Sequence, residues 1–452
     1  MKKLLKLSAV IVFFYILEAC GDLLPGNEEG GGEPPEDALL DSSEYEVIVD
    51  EEALASRMEL LNTPVEFDTT NWGVDAESIA AKARSASSLL KPRVSSVNGI
   101  SLTLNAEVRS TTGDGGILQA TDVLLKGNTA FVTYAMAGDV FSGALQIINV
   151  TNRRNPALNS EVLFRNLDIY AVANSQNELV LAGAANPDIL GVTTPAVVIL
   201  AKLQGNIPQE PFTIVDLPSF AATDVVIIDD YLFVSVGAEE GGLVRINLEE
   251  PELFSENEDV IYFDDARSVD EAEGWLAVLK GTPGEVMVLA SENLTDPSIT
   301  MSDLVPERHL VFDETATIPF SKSTIELMGD VSLLAVGDGG TIAIFTESGT
   351  PEETLFQLPP VTDFPGLGED LTVTNAASAE GALLFRANGE AGVDLFGLDA
   401  DIDTVRQGES LQPERLGSLV FGEQESANSV YYRRGYLFIA GGLGGMKIVS
   451  LD

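Results

Sequence analysis

From residue 100 to the end of the chain, apolar positions come in short runs cut by Gly, Asp, Asn and Pro. Residues 222–262 show the unit most plainly. Asp224-Val225-Val226-Ile227-Ile228 turns at Asp229-Asp230 into a second run, Tyr231-Leu232-Phe233-Val234-Ser235-Val236. A turn through Glu239-Glu240-Gly241-Gly242 leads to the alternating run Leu243-Val244-Arg245-Ile246, and Asp259-Val260-Ile261-Tyr262 closes the unit after Pro251. β-Branched and aromatic side chains suit a pleated, half-buried surface, so each run predicts a strand. Four strands in about fifty residues, repeated, predict a propeller blade.

A Gly or Pro opens the third strand of each unit: Gly143, Pro195, Gly242, Gly284, Gly340, Gly392 and Gly445. Glycine suits a tight hairpin because it takes positive φ without a Cβ clash. Seven landmarks predict an all-β, seven-bladed β-propeller over residues 98–452. The last unit stops at Leu451-Asp452 without a fourth strand, while Ile100-Ser101-Leu102-Thr103-Leu104 is a spare alternating strand at the other end. Pairing the spare as the outer strand of the last blade would close the ring and hide an open edge.

What precedes the repeats reads differently. Lys2, Lys3 and Lys6 precede a short apolar core ending in Leu17-Glu18-Ala19-Cys20. That core is too short to span a bilayer but suits an export signal over residues 1–19. The junction resembles the lipobox of bacterial lipoproteins, from which Glu18 departs. The resemblance implies acyl chains on Cys20 and a lipid membrane as its partner, and several acyl chains together anchor stably. Residues 20–44, rich in Gly, Pro and acid, predict a tether. Its acidic residues look similar to the export signals of surface lipoproteins in the Bacteroidota. Outer-membrane or cell-surface display is therefore expected. In the extension, residues 45–97, the spacing of Leu54, Met58 and Leu61 predicts a short helix over 51–61. Asp75 is placed to cap a second helix reaching Leu90, with Trp72 between the two.

Charge narrows the function. Asp and Glu total 71 against 25 Lys and Arg, a net charge of −46, which excludes a basic face for nucleic acid. Cys20 is the only cysteine, so no disulfide and no thiol nucleophile serve the repeats. His309 is the only histidine, beside a predicted outer strand, which serves a Ser-His-Asp triad or a zinc site poorly. Gly-Asp-Gly-Gly runs at 113–116 and 337–340 resemble calcium loops superficially but lack spaced carboxylates, and turn chemistry explains them better.

The remaining candidate chemistry lies where the inner strands begin, at one mouth of the central channel. Counting back from each second strand gives Asp122, Tyr170, Asp224, Ser268 with Arg267 beside it, Thr324, Asn375 and Asn428. Two carboxylates with amides could hold a cation such as calcium, or a sugar-like ligand. The competing reading is that they satisfy strand ends and channel water. Residues 184–195 and 313–322 are the longest insertions and the best candidates for an interaction loop.

The run Ala144-Leu145-Gln146-Ile147-Ile148-Asn149-Val150-Thr151-Asn152, ending at Pro156, resembles the repeat of the LVIVD-type β-propeller proteins. Gly242-Leu243-Val244-Arg245-Ile246 and Gly445-Met446-Lys447-Ile448-Val449 are similar. The resemblance implies an exported lipoprotein with no assigned chemistry. The expected function is a membrane-anchored binding or scaffolding propeller without catalysis, its partner an envelope protein or glycan. The alternative is a propeller hydrolase, a glycosidase or calcium-dependent lactonase using mouth carboxylates.

Overall fold

The computed structural model describes residues 38–69, 93–94, 99–175, 177–237, 239–281, 284–313, 322–346, 354–362, 364–422 and 424–451. The signal, Cys20, most of the tether, Trp72 and the second proposed helix lie outside these residues.

Seven antiparallel sheets form the ring, and six of them read from an inner to an outer strand in chain order. The inner strands are Gln119–Lys126, Leu167–Ser175, Ala221–Ile228, Ala266–Ala272, Ile325–Met328, Ala376–Glu380 and Ser429–Arg433, which define blades 1 to 7. Each landmark Gly or Pro lies at or beside the start of its third strand. Blade 7 takes its outer strand from Leu102–Val108, paired antiparallel with Met446–Leu451. The ring closes as the hydrophobic pattern requires, two residues later in the chain than the alternation marks.

Alternation puts apolar side chains on both faces of each sheet, and adjacent sheets pack them together. Each seam between neighbours has its own core. Phe131, Leu145 and Ile147 meet Leu181, Val197 and Ile199 between blades 1 and 2. Phe385 and Leu395 meet Leu437 and Ile439 between blades 6 and 7. Burial of this kind is the dominant favourable term, as no disulfide contributes.

The extension is a belt laid on the outside of the ring. Ala38–Leu39 adds to the outer strand of blade 2, and Tyr45–Ile48 adds to blade 1. Met58–Val65 adds to blade 7, and Phe67–Asp68 with Arg93–Val94 adds to blade 6. Leu40 and Tyr45 enter the core of seam 1/2, Leu54 that of seam 7/1 and Phe67 that of seam 6/7. The helix expected over 51–61 is therefore mostly strand. Only Glu51–Ala55 is helical, capped by the Asp50 carboxylate accepting from Ala53 N–H at 2.8 Å. Beyond it, the open edge of Leu102–Val108 offers ladder hydrogen bonds that a short isolated helix cannot match.

Candidate functional site

The residue that enters each inner strand is tied through its backbone to the preceding blade at five seams. Ala120 of blade 1 donates its N–H to Gly442 O at 2.9 Å, and its carbonyl accepts from Asn428 Nδ2 at 2.8 Å. Ala427 of blade 7 is held the same way by Gly389 O at 2.8 Å and Asn375 Nδ2 at 3.0 Å. Thr374 of blade 6 exchanges two backbone bonds with Gly337. Thr121 Oγ1 of blade 1 donates to Ile169 O of blade 2 at 2.9 Å, and Thr223 Oγ1 of blade 3 to Ala266 O of blade 4 at 3.2 Å. Thr121 and Thr223 are bulged residues, extra positions that leave the ladder and aim a side chain sideways.

Five of the residues chosen at the mouth, Asp122, Asp224, Ser268, Asn375 and Asn428, bond from blade to blade. Asp122, Asp224 and Ser268 occupy matching places, opposite Thr133, Ser235 and Leu279. In blade 2 that place belongs to Ala171, opposite Ala182, and Tyr170 is the bulged residue before it. A fixed count back from the second strand could not see the bulge. Tyr170 is buried, with its hydroxyl donating to Asp168 Oδ2 at 3.4 Å. Arg267, bulged in blade 4, pairs with Asp265 at 2.6 Å. The Thr324 carbonyl accepts from Ala335 N–H at 2.8 Å.

Asp224 reaches from blade 3 to blade 4. Its Oδ2 accepts from Ser268 Oγ at 2.5 Å and from Val269 N–H at 3.2 Å, while Oδ1 accepts from Val225 N–H at 2.9 Å. Ser268 Oγ in turn accepts from Ile325 N–H of blade 5 at 3.2 Å. Asp122 accepts from Ser429 Oγ of blade 7 at 2.8 Å and pairs with Lys322 Nζ at 2.6 Å. Lys322 leads into blade 5, on the far side of the ring from blade 1, so this ion pair spans the channel. Lys322 Nζ also donates to Thr121 O at 3.0 Å, and its N–H donates to Asn375 Oδ1 at 3.2 Å. Deeper, Glu326 of blade 5 pairs with Arg433 of blade 7 at 2.7 Å, and Asp270 of blade 4 accepts from Leu327 N–H at 2.7 Å.

Burial pushes the Asp224 carboxyl up to about 6, helped by the Asp122 charge and opposed by Lys322. Burial likewise lifts Asp270 to about 8, against its backbone hydrogen bonds, and Asp168 to about 7. Asp168 ties blade 2 to blade 1 by accepting from Met136 N–H at 3.0 Å and Ser142 N–H at 3.1 Å. A raised carboxyl beside a second carboxylate has the look of an acid–base pair. Here Oδ2 of Asp224 is held by blade 4 and Oδ1 by the Val225 N–H of its own strand, and the Lys322 ammonium lies against Asp122 and the Thr121 carbonyl.

The other candidates resolve as structure. His309 lies on the outer strand of blade 4, with Nε2 2.8 Å from Glu285 Oε2 and away from the mouth. The run at 113–116 is the turn of a small ribbon, Thr112–Gly113 with Gly116–Ile117. That at 337–340 is a tight turn in which Gly340 takes φ +84°. Among the described residues no three His, Cys, Asp or Glu side chains gather as metal ligands. Sequence reading missed Lys322, Asp270, Glu326, Arg433 and Asp168. A signal existed for four of them: Asp168, Asp270, Glu326 and Arg433 are each a charge within an inner strand.

No family model matches the sequence, and no curated protein matches it. Among solved structures it is similar to the WD40 beta propeller domain of Doa1, at TM-score 0.45 and 9% identity over 76% of this chain and 96% of that one. It is also similar to the computationally designed Ika8 protein, at TM-score 0.42 and 8% identity over 76% and 99%. The seven-bladed ring itself rests on the strand pairing described above.

Proposed function

We infer that the chain is a non-catalytic binding or scaffolding propeller, held at the cell envelope by a lipid on Cys20. The propeller fold fits such a role. The observation that carries the reading is the commitment of the mouth groups: Asp122, Asp224, Ser268, Asn375 and Asn428 all bond across seams. A glycosidase would need two carboxyl groups facing a substrate with water between them or a nucleophile free to attack. The Lys322 ammonium supplies the positive charge that these carboxylates require, so calcium has no role in the reading. The envelope location and the LVIVD-type lipoprotein kinship draw on Cys20 and on the repeat pattern.

The test has two arms. Crosslinking on intact envelopes should recover a specific partner, while screens against glycosides, lactones and esters, with and without calcium, should show no turnover. Turnover by the parent that Asp122→Asn/Asp224→Asn loses would overturn the reading. Release of a Cys20→Ala variant from membranes is expected, and retention as firm as the parent's would remove the anchor.

A further inference from the structure

Three exposed aliphatic side chains stand on the mouth face over blades 1 and 2: Ile117, Val140 and Ile189, exposed by 56, 47 and 56%. Each is carried by an addition to the plain blade. Ile117 ends the ribbon that leads into blade 1, and Val140 lies in the loop between the second and third strands of blade 1. Ile189 sits on the helical turn Pro187–Leu190, inserted at the corresponding place in blade 2. Each also has an exposed carboxylate beside it, Asp114, Asp139 and Asp188 respectively. At this place blades 5, 6 and 7 have tight glycine turns with no exposed large apolar residue among the described ones.

The additions form one supported surface. Asp114 N–H donates to Ser142 Oγ at 3.1 Å, binding the ribbon to the blade 1 loop. Asp168 of blade 2 holds both ends of that loop, through Met136 and Ser142. Asn186, which caps the helical turn, donates its N–H to Asn166 O at 2.9 Å, two residues before Asp168. Half-buried Phe141 and Phe220 pack beneath, against Ala135, Tyr170, Ala184 and Ala221. The aliphatic groups are thus displayed on a fixed base, which lowers the ordering cost of docking.

We propose that this sector is the docking surface for a cationic, aliphatic-bearing segment of a partner protein. The proposal rests on the binding reading above. Ile117, Val140 and Ile189 supply the apolar centre and the three aspartates a like-signed rim, within a chain of net charge −46. Arg165, 3.7 Å from Asp114, offsets one of the three. The same charge repels acidic partners and anionic lipid surfaces, so the occupant is a basic protein segment.

The probe is a labelled peptide alternating Lys and Leu, measured by anisotropy with the full chain beside Lys-Ser and Glu-Leu peptides. The Lys-Leu peptide should bind best. Ile117→Ser/Val140→Ser/Ile189→Ser and Asp114→Asn/Asp139→Asn/Asp188→Asn should each weaken it about tenfold. Leu253→Ser/Val305→Ser, on the opposite face, should leave it unchanged, and parent-like melting would show that all three variants are folded. Equal binding of the Lys-Ser peptide, parent-like affinity in the two sector variants, equal loss in the opposite-face control, or no binding would each overturn the proposal. An envelope partner crosslinked only to the opposite face would sink this sector and keep the binding reading, whereas no partner on any face would sink both.

Discussion

Blades 1 to 4 and blades 5 to 7 solve the same joining problem by different means. The first four carry a bulge at the inner-strand entrance, at Thr121, Tyr170, Thr223 and Arg267. Their seams depend on side chains: Thr hydroxyls, and the buried carboxylates Asp168, Asp224 and Asp270. The last three have unbroken inner ladders and turn through Gly337, Gly389 and Gly442, each of which bridges main chain to main chain with the next blade. A backbone bridge constrains which residue can sit in the turn. A side-chain staple frees the loop above it, and the exposed additions are found over blades 1 and 2.

Four changes would break or sharpen this contrast. The largest effect is expected where the belt crosses the side-chain half. Arg57 pairs with the fully buried Glu161 at 2.8 Å, and Gln146 Nε2 donates to the same oxygen at 3.0 Å. Arg57→Ala leaves that charge without a counter-ion and should cost about 3 kcal/mol in urea unfolding, most of it recovered by adding Glu161→Gln. If the single variant melts like the parent, the belt is not latched there.

On the main-chain half, Gly392 takes φ +84° and a Cβ there would run into the Leu419 carbonyl. Gly392→Ala should cost more than about 2 kcal/mol, against about 1 kcal/mol for Gly381→Ala, whose φ is also positive but whose surroundings are open. Equal costs would mean that the turn tolerates a side chain at Gly392 despite the nearby Leu419 carbonyl.

The third change is pH. Asp224, Asp168 and Asp270 have folded values near 6, 7 and 8, above the ordinary 3.8, because burial disfavours their charged forms. The folded state therefore binds more protons than the unfolded state. Stability from these groups is full below about pH 4 and is lost progressively as pH rises through their folded values, to about 8. The parent should melt lower at pH 8.5 than at pH 5, and Asp168→Asn/Asp224→Asn/Asp270→Asn should flatten that slope. A parent insensitive to pH in this window would contradict the burial argument. The smallest change is Thr223→Val, which removes the staple to Ala266 O while keeping shape and should cost about 1 kcal/mol.

The ring was legible because period-two runs and hairpins marked by Gly or Pro recur seven times, and each is local in sequence. Closure was legible as well, since a missing strand at Asp452 and a spare near Leu102 point at each other. The belt was not. Leu54, Met58 and Leu61 read as a helix until the edge of Leu102–Val108 is available to pair with Met58–Val65, and that edge lies some forty residues on. At the mouth, the count reached matching places in blades 1, 3 and 4 and the bulged residue beside that place in blade 2. Their role was hidden because a staple is defined by its partner: nothing near Asn428 in sequence reveals the carbonyl of Ala120. Lys322 was missed for the same reason, its partner Asp122 being on the opposite side of the ring.

The central claim is that the mouth groups hold the ring together and do no chemistry. Melting of Asp122→Asn/Asp224→Asn, measured beside the substrate screen on the same preparations, tests it most directly. The account predicts a lowered melting temperature in the variant and no turnover by either protein. An unchanged melting temperature, with turnover present in the parent and absent in the variant, would contradict it.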